Sequence, residues 1–128
     1  MNEYNLISRV EITEKLPVYI QELDHEINLT INLIKTGKEA KAVVSFKNNM
    51  EALANLIELI NVLCQVGVFE QNTVFFDFQN QLSLYLDKLI YAHDEGNLKK
   101  IGKILASETD DIFQKILNIH SGRITEIF

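Results

Sequence analysis

The chain of 128 residues has no tryptophan, one cysteine, one proline and five glycines. A single cysteine, Cys64, excludes an intramolecular disulfide and gives no sign of an oxidising compartment. No apolar run approaches the roughly 20 residues that span a bilayer. The N-terminus lacks the basic stretch and apolar run of a secretory signal. We therefore expect a soluble, cytoplasmic protein.

The balance of charge also excludes several classes of partner. Twelve Lys+Arg residues stand against 18 Asp+Glu residues, which gives a net charge of −6. Nonspecific binding to nucleic acid or to an anionic membrane normally requires a basic surface. We expect neither a nucleic-acid nor a membrane partner. The length fits one domain.

Apolar residues recur at helical spacing through most of the chain, between a few helix-capping signals. Four helices are predicted, at about residues 16–36, 38–66, 72–94 and 97–121. Pro17 is expected in the first turn of helix one, and Asn72 and Asn97 are expected as the N-caps of helices three and four. Gly37, Gly67, Gly96 and Gly122 mark helix ends. Because the connections are short, neighbouring helices should be antiparallel. The expected fold is an all-α, up-down antiparallel four-helix bundle.

Three segments also alternate apolar and polar residues as a strand would. The segment Ile27–Leu33 has this pattern, but the continuous register from Leu16 favours a helix. The other two are Leu6–Ile12 and Arg123–Phe128, which could form irregular or strand-like termini or extend the helices. A two-stranded ribbon is marginal by itself, so we do not favour it.

Each helix carries an apolar stripe that should face the core. Helix two is distinctive because it has two stripes side by side, which indicates cover on two sides, by bundle neighbours or by another molecule. The stripes are Leu16, Ile20, Leu23, Ile27 and Ile34 in helix one; Val43, Phe46, Met50, Leu53, Ile57, Ile60 and Cys64, beside Ala52, Leu56, Leu59, Leu63 and Val66, in helix two; Phe75, Phe78, Leu82, Leu86, Leu89 and Ile90 in helix three; and Leu98, Ile101, Leu105, Ile112, Ile116 and Ile119 in helix four.

Sequence motifs for chemistry are few. Glu22-Leu23-Asp24-His25 contains one Glu-x-x-His pair, whereas di-iron bundles use two such pairs and two further glutamates. A solvated helix face is the favoured interpretation, and a metal-dependent enzyme using Glu22, His25, Glu58 and Glu108 is kept as an alternative. We predict no catalytic residue and no cofactor. Cys64 continues an apolar stripe and is expected to behave as a small hydrophobe.

Two polar features of helix four have open interpretations. Glu108 lies on the apolar stripe, either as a stripe-edge carboxylate that reaches solvent or as a buried polar contact, for example with Tyr85, that fixes helix register. A catalytic role is a third, less favoured interpretation. Lys99, Lys100 and Lys103 form a basic cluster that is expected to be a solvated face, or else to dock an acidic partner.

The aromatic segment from Phe69 to Phe78 is the best candidate for a binding surface. Phe75 and Phe78 belong to the inner stripe, whereas Phe76 shares its side of the helix with polar residues. Phe76 either covers a bundle end or packs under the loop of residues 67–72, or else it contacts another subunit or a partner. The residues predicted to bind a partner are Phe69, Phe75 and Phe76 of this segment together with Leu56, Leu59 and Leu63 of helix two.

Over roughly residues 16–120, the chain resembles a family of uncharacterised small helical-bundle proteins of Gram-positive bacteria, some of which look like flagellar export chaperones. The shared arrangement is Pro17 before a long helix, a break at Gly37, a second long helix and a final helical hairpin. The pattern that carries the resemblance is Leu86, Leu89, Ile90 and Ala92, then Asn97, then Ile104, Leu105, Glu108 and Ile112. The chain departs from that family in lacking a tryptophan in helix two. The resemblance implies a chaperone-like, protein-binding role.

Three functions therefore remain open. The favoured one is a non-enzymatic module that binds a partner helix, or a second copy of itself, through apolar helix surfaces. The alternatives are the metal-dependent enzyme and a structural module that only forms a homodimer.

Overall fold

The computed structural model describes the backbone of residues 2–65, 67, 69–70 and 72–125, and the side chains of residues 14–65, 67, 69–70 and 72–120. The chain forms four α-helices: α1 (Asn2–Lys35), α2 (Glu39–Gln65), α3 (Thr73–Asp94) and α4 (Leu98–Thr125). Throughout these ranges no strand is present. The all-α, up-down antiparallel four-helix bundle is thereby confirmed.

The helices do not pack equally closely. Helix α1 packs along both α2 and α4, and α3 packs along α4. No Cα atom of α2 comes within 8 Å of one in α3 across the described ranges. The rings of Phe46 on α2 and His93 on α3 approach each other across this wider gap, with their centroids 5.5 Å apart.

Both ends of the chain are more helical than the sequence predicted. Helix α1 begins at Asn2, so Pro17 lies inside it and not in its first turn. An internal proline removes one backbone hydrogen bond, but Leu16 and Ile20 on either side are buried and hold this turn against the core. Helix α4 likewise continues past Gly122 to Thr125. Residues 126–128 lie outside the described part of the chain.

Of the residues predicted at helix ends, Gly122 lies inside α4, whereas Gly37, Asn72 and Asn97 are confirmed by hydrogen bonds. Gly37 has a φ of 74°, a left-handed value that suits glycine, and the turn closes with Lys38 N–H donating to the carbonyl of Leu33 at 3.0 Å. The side chain of Asn72 accepts from Phe75 N–H at 3.0 Å. Asn97 accepts from Lys100 N–H at the same distance.

The predicted core stripes are confirmed with one exposed exception. Both stripes of α2 are buried or pack against the core, apart from Val43, which is half-buried outside the core cluster, and Val66, which lies outside the described residues. The exception is Ile90, which is 48% exposed, whereas Tyr85, Leu89 and Ala92 are fully buried. The inner face of α3 steps from residue 85 to 89 to 92, and Ile90 is turned away from it by one residue, about 100°.

Candidate interaction surface

The six residues predicted to bind a partner differ in their exposure to solvent, and most of them are buried. Leu56 and Leu63 have no exposed surface, and Phe69 and Phe75 are 3% and 1% exposed. Leu59 is half-buried and packs against the core. A partner could reach the buried four only if the bundle opened. Phe76 is the exposed member of the set, with 49% of its surface accessible.

The N-terminal cap of α3 explains why neighbouring phenylalanines point in opposite directions. Because Asn72 fixes the start of the helix through Phe75 N–H, Phe75 turns inward and Phe76, about 100° further round, turns outward. Phe69, in the preceding connection, covers Phe75 with ring centroids 6.0 Å apart. The connection thus buries Phe75, while Phe76 stays open to solvent.

Phe76 belongs to a row of residues along the outside of α3. Leu84 and Tyr91, each 62% exposed, follow it at helical spacing on the same side. Asn80 and Asp87 lie between them. We call these five residues the outer stripe of α3: Phe76, Asn80, Leu84, Asp87 and Tyr91. Ile90 flanks the row, so four large apolar side chains are exposed on this side of the helix.

The charged groups near the outer stripe are mainly acidic. Asp77 and Asp87 are exposed on this helix. Lys88 turns toward α4, where its ammonium group lies 3.2 Å from a carboxylate oxygen of Glu108. At the far end, Lys100 lies 5.1 Å from the centre of the Tyr91 ring. Apolar anchors interspersed with carboxylates suit a ligand that is both apolar and basic.

The ion pair between Glu108 and Lys88 supports the interpretation of Glu108 as a carboxylate at the edge of the apolar stripe. Its side chain is about one-third exposed and forms the ion pair with Lys88 across α3 and α4. Glu108 is therefore a carboxylate at the edge of the stripe that reaches solvent, and not a buried contact to Tyr85.

A buried polar contact between α3 and α4 does exist, one residue beyond Glu108. The Tyr85 hydroxyl lies 2.6 Å from the Thr109 hydroxyl, and both residues are buried. Burial raises the pKa of Tyr85 to about 12. The contact between Tyr85 and Thr109 was not predicted, although the three- and four-residue steps from Phe78 to Leu89 already place Tyr85 on the inner face.

A second buried polar group joins α1 to α2. The Asn49 amide donates to the Thr30 hydroxyl at 2.6 Å, and that hydroxyl also lies 2.5 Å from the Ser45 hydroxyl. Thr30 and Asn49 are 0% and 1% exposed. Such a group ties the helices to one register, since sliding either helix would leave buried donors and acceptors unpaired.

The residues of the alternative metal site are not gathered together. Glu22, His25 and Glu58 are exposed, and Glu108 is paired with Lys88. Over the side chains that the structure describes, no three His, Cys, Asp or Glu residues are placed to hold a metal ion. Cys64 is half-buried and packs against the core, as an apolar stripe residue would.

One member of the Glu22-Leu23-Asp24-His25 motif faces a like charge. Burial, and then the nearby Asp110 carboxylate on α4, raise the pKa of Asp24 above its usual value. A carboxyl group with a raised folded-state pKa is favoured in its protonated form. Its contribution to stability therefore falls as the pH rises from the usual aspartate pKa, near 4, through the raised value.

We expect Asp110→Asn to raise stability at pH 7, because it removes this repulsion. A gain of about 0.5 kcal/mol is typical for charges at a protein surface. The gain should shrink as the pH is lowered through the range in which Asp24 binds its proton. Urea unfolding at pH 7 and pH 4 measures both effects, with Asp87→Asn as the control. An equal gain at the two pH values would contradict this assignment.

None of the four helices, over the ranges that the structure describes, is long and apolar enough to cross a membrane. No family model, curated protein or solved structure matched the chain. The arrangement of the side chains is therefore the basis for assigning a function.

Proposed function

We propose that this chain is a non-enzymatic, cytoplasmic interaction module that binds an amphipathic helix of a partner protein through the outer stripe of α3. The observation that carries the proposal is the exposure of Phe76, Leu84 and Tyr91 along one side of a single helix, flanked by Ile90. Scattered exposed apolar residues are ordinary, but exposed apolar residues that align along one side of a helix, with polar residues around them, suit an interface.

The spacing of the apolar residues suits a helical ligand. Helix recognition relies on apolar anchors that recur every three, four or seven residues. Leu84 and Tyr91 are seven residues apart, and Phe76 extends the row by about two further turns. Fully burying one such side chain contributes roughly 1.5–3 kcal/mol. Three anchors of this kind can supply most of the affinity of a short helix, since a few residues dominate binding.

Charge favours a partner protein over a second copy of this chain. Two copies that met through their outer stripes would bring Asp87 and Asp77 of each toward those of the other, between molecules whose net charge is −6. Like charges in an interface are unfavourable. A partner helix with lysine or arginine beside its apolar anchors would instead pair with these carboxylates. The proposed ligand is thus a basic amphipathic helix, in keeping with the chaperone-like role that the resemblance implies.

Leu84→Glu tests the proposal, with Leu29→Glu as its matched control. Both leucines are exposed, at 62% and 44%, and both variants change the charge equally, but Leu29 lies on α1. We expect Leu84→Glu to weaken partner binding at least tenfold, since a charge replaces a leucine that the bound helix would cover. Leu29→Glu should bind like the wild type. Capture of native partners, followed by titration of the captured helix, measures the difference.

Two results would overturn the proposal. Equal binding by the two variants would remove the outer stripe from the interface. Light scattering that shows a dimer in the wild type, and a monomer in Leu84→Glu alone, would favour the self-associating module instead. Circular dichroism of each variant separates either result from a loss of folding.

A further inference from the structure

Basic side chains collect at one end of this acidic protein. The end is formed by the turn from α1 to α2 and the start of α4. Half of the chain's 12 Lys+Arg residues lie within these two segments, in a protein whose net charge is −6. They are Lys35, Lys38 and Lys41 from the first segment and Lys99, Lys100 and Lys103 from the second.

A groove of about 420 Å³ opens at this end between α1 and α4. Its apolar lining comes from Ile31 and Ile34 on one helix and from Leu98 and Ala106 on the other. Gly102 allows the two helices to approach, since a Cβ atom there would lie 3.2 Å from Ile34 Cγ2. The floor of the groove is therefore aliphatic and has no aromatic ring.

Three lysines stand around the groove with their charges unneutralised. Lys35, Lys99 and Lys103 line it and are exposed, and none of them forms an ion pair with the described residues. Lys100, by contrast, is engaged, with its ammonium group 3.4 Å from a carboxylate oxygen of Glu95. Glu39 is the acidic residue of the lining, so positive charge prevails there.

We propose that this groove binds a single-chain aliphatic carboxylate, with its hydrocarbon chain on the aliphatic floor and its headgroup among Lys35, Lys99 and Lys103. The size and lining match small-molecule sites, which have mostly apolar walls and a few polar groups that fix the ligand's orientation. A protein partner would need a far larger surface, about 800 Å² on each side of a standard interface. This site is separate from the outer stripe of α3.

Decanoate is a suitable probe, used on the full chain and below its micelle concentration. Titration calorimetry should show saturable binding at one site. Shortening the probe to octanoate should weaken binding by up to about fifteenfold, because two methylene groups that the groove would bury are lost. Decyltrimethylammonium, with the same chain length and the opposite charge, should bind at least tenfold more weakly than decanoate. Equal binding of the two ions would overturn the proposal.

Two pairs of variants locate the site. Lys99→Glu with Lys103→Glu reverses the charge at the groove, and Lys15→Glu with Lys47→Glu makes the same change at exposed lysines outside it. Only the first pair should weaken decanoate binding, by tenfold or more.

Ala106→Leu fills the groove without altering charge, and the exposed Ala54→Leu on α2 is its control. A loss of binding in Ala106→Leu alone supports the site. Equal decanoate affinity in Ala106→Leu and Ala54→Leu, with both variants folded, contradicts it. Neither outcome bears on partner binding, because these residues are not part of the outer stripe.

Discussion

Leu56→Ala is expected to lower the free energy of unfolding by about 3 kcal/mol, within the range of 2–5 kcal/mol typical of buried leucines. Leu56 has no exposed surface and lies in the second apolar stripe of α2. The substitution removes buried methyl groups and leaves a cavity that the neighbouring helices cannot fully close. Urea unfolding followed by circular dichroism measures the change.

The matched control for this prediction is Leu84→Ala. Leu84 is 62% exposed, so its truncation should change stability by less than about 0.5 kcal/mol. The pair of variants distinguishes a core leucine from an interface leucine, since Leu56 should affect folding and Leu84 should affect partner binding. A loss of under 1 kcal/mol for Leu56→Ala would mean that this stripe is not part of a closed core.

Thr109→Val is expected to cost about 1–3 kcal/mol, because it leaves the buried Tyr85 hydroxyl without its partner. Tyr85→Phe should cost less, since the hydroxyl of a helical threonine can bond to a backbone carbonyl of the preceding turn. The double variant should then be more stable than the sum of the two losses predicts. Additive losses would show that the two hydroxyls are not coupled.

The dependence of the free energy of unfolding on alkaline pH is a second test of the contact between Tyr85 and Thr109. Because the pKa of Tyr85 is raised from 10.0 to about 12, the folded state retains this proton more tightly than the unfolded state. Its contribution to stability is complete below pH 10 and is lost as the pH rises toward 12. Tyr85→Phe should therefore flatten the decline in stability over that interval. An unchanged slope would place the ionisation at another group.

Local signals in the sequence were sufficient to predict the fold. The helical spacing of the apolar residues identified four helices, and Gly37, Asn72 and Asn97 marked where three of the turns begin or end. These features depend on residues within a few positions of one another, so a single sequence contains them. Pro17 misled the prediction of where α1 begins, because tertiary packing of its neighbours outweighs the local cost of proline.

The proposed interaction surface could not be predicted from the periodicity of apolar residues alone. The two stripes of α2 showed that two sides would be covered, but not that the bundle itself covers Leu56 and Leu63. Asn72 caps the start of α3 and so sets which residues of the helix face outward. The sequence therefore did suggest that Phe76 is exposed. Leu84 and Tyr91 were missed, because an apolar residue outside the main stripe has no separate signal until the fold places it.

Contacts between segments that are distant along the chain were also not predicted from the sequence. Thr30 and Asn49 meet only because α1 and α2 pack antiparallel in one register. The groove between α1 and α4 is likewise lined by both Lys35 and Lys103, which are far apart along the chain. The sequence contains the cluster of Lys99, Lys100 and Lys103. The aliphatic floor beside this cluster forms only when α1 packs against α4.

The most direct test of the proposed function is site-specific photocrosslinking from within the outer stripe of α3. A photoreactive amino acid at position 80 replaces Asn80, between Phe76 and Leu84, and the same group at the exposed Asn28 on α1 serves as the control. We predict that position 80 crosslinks to a basic amphipathic helix of a partner protein, that Leu84→Glu abolishes the crosslink, and that position 28 gives none. Equal crosslinking from both positions, or a crosslink from position 80 only to a second copy of this chain, would contradict the account.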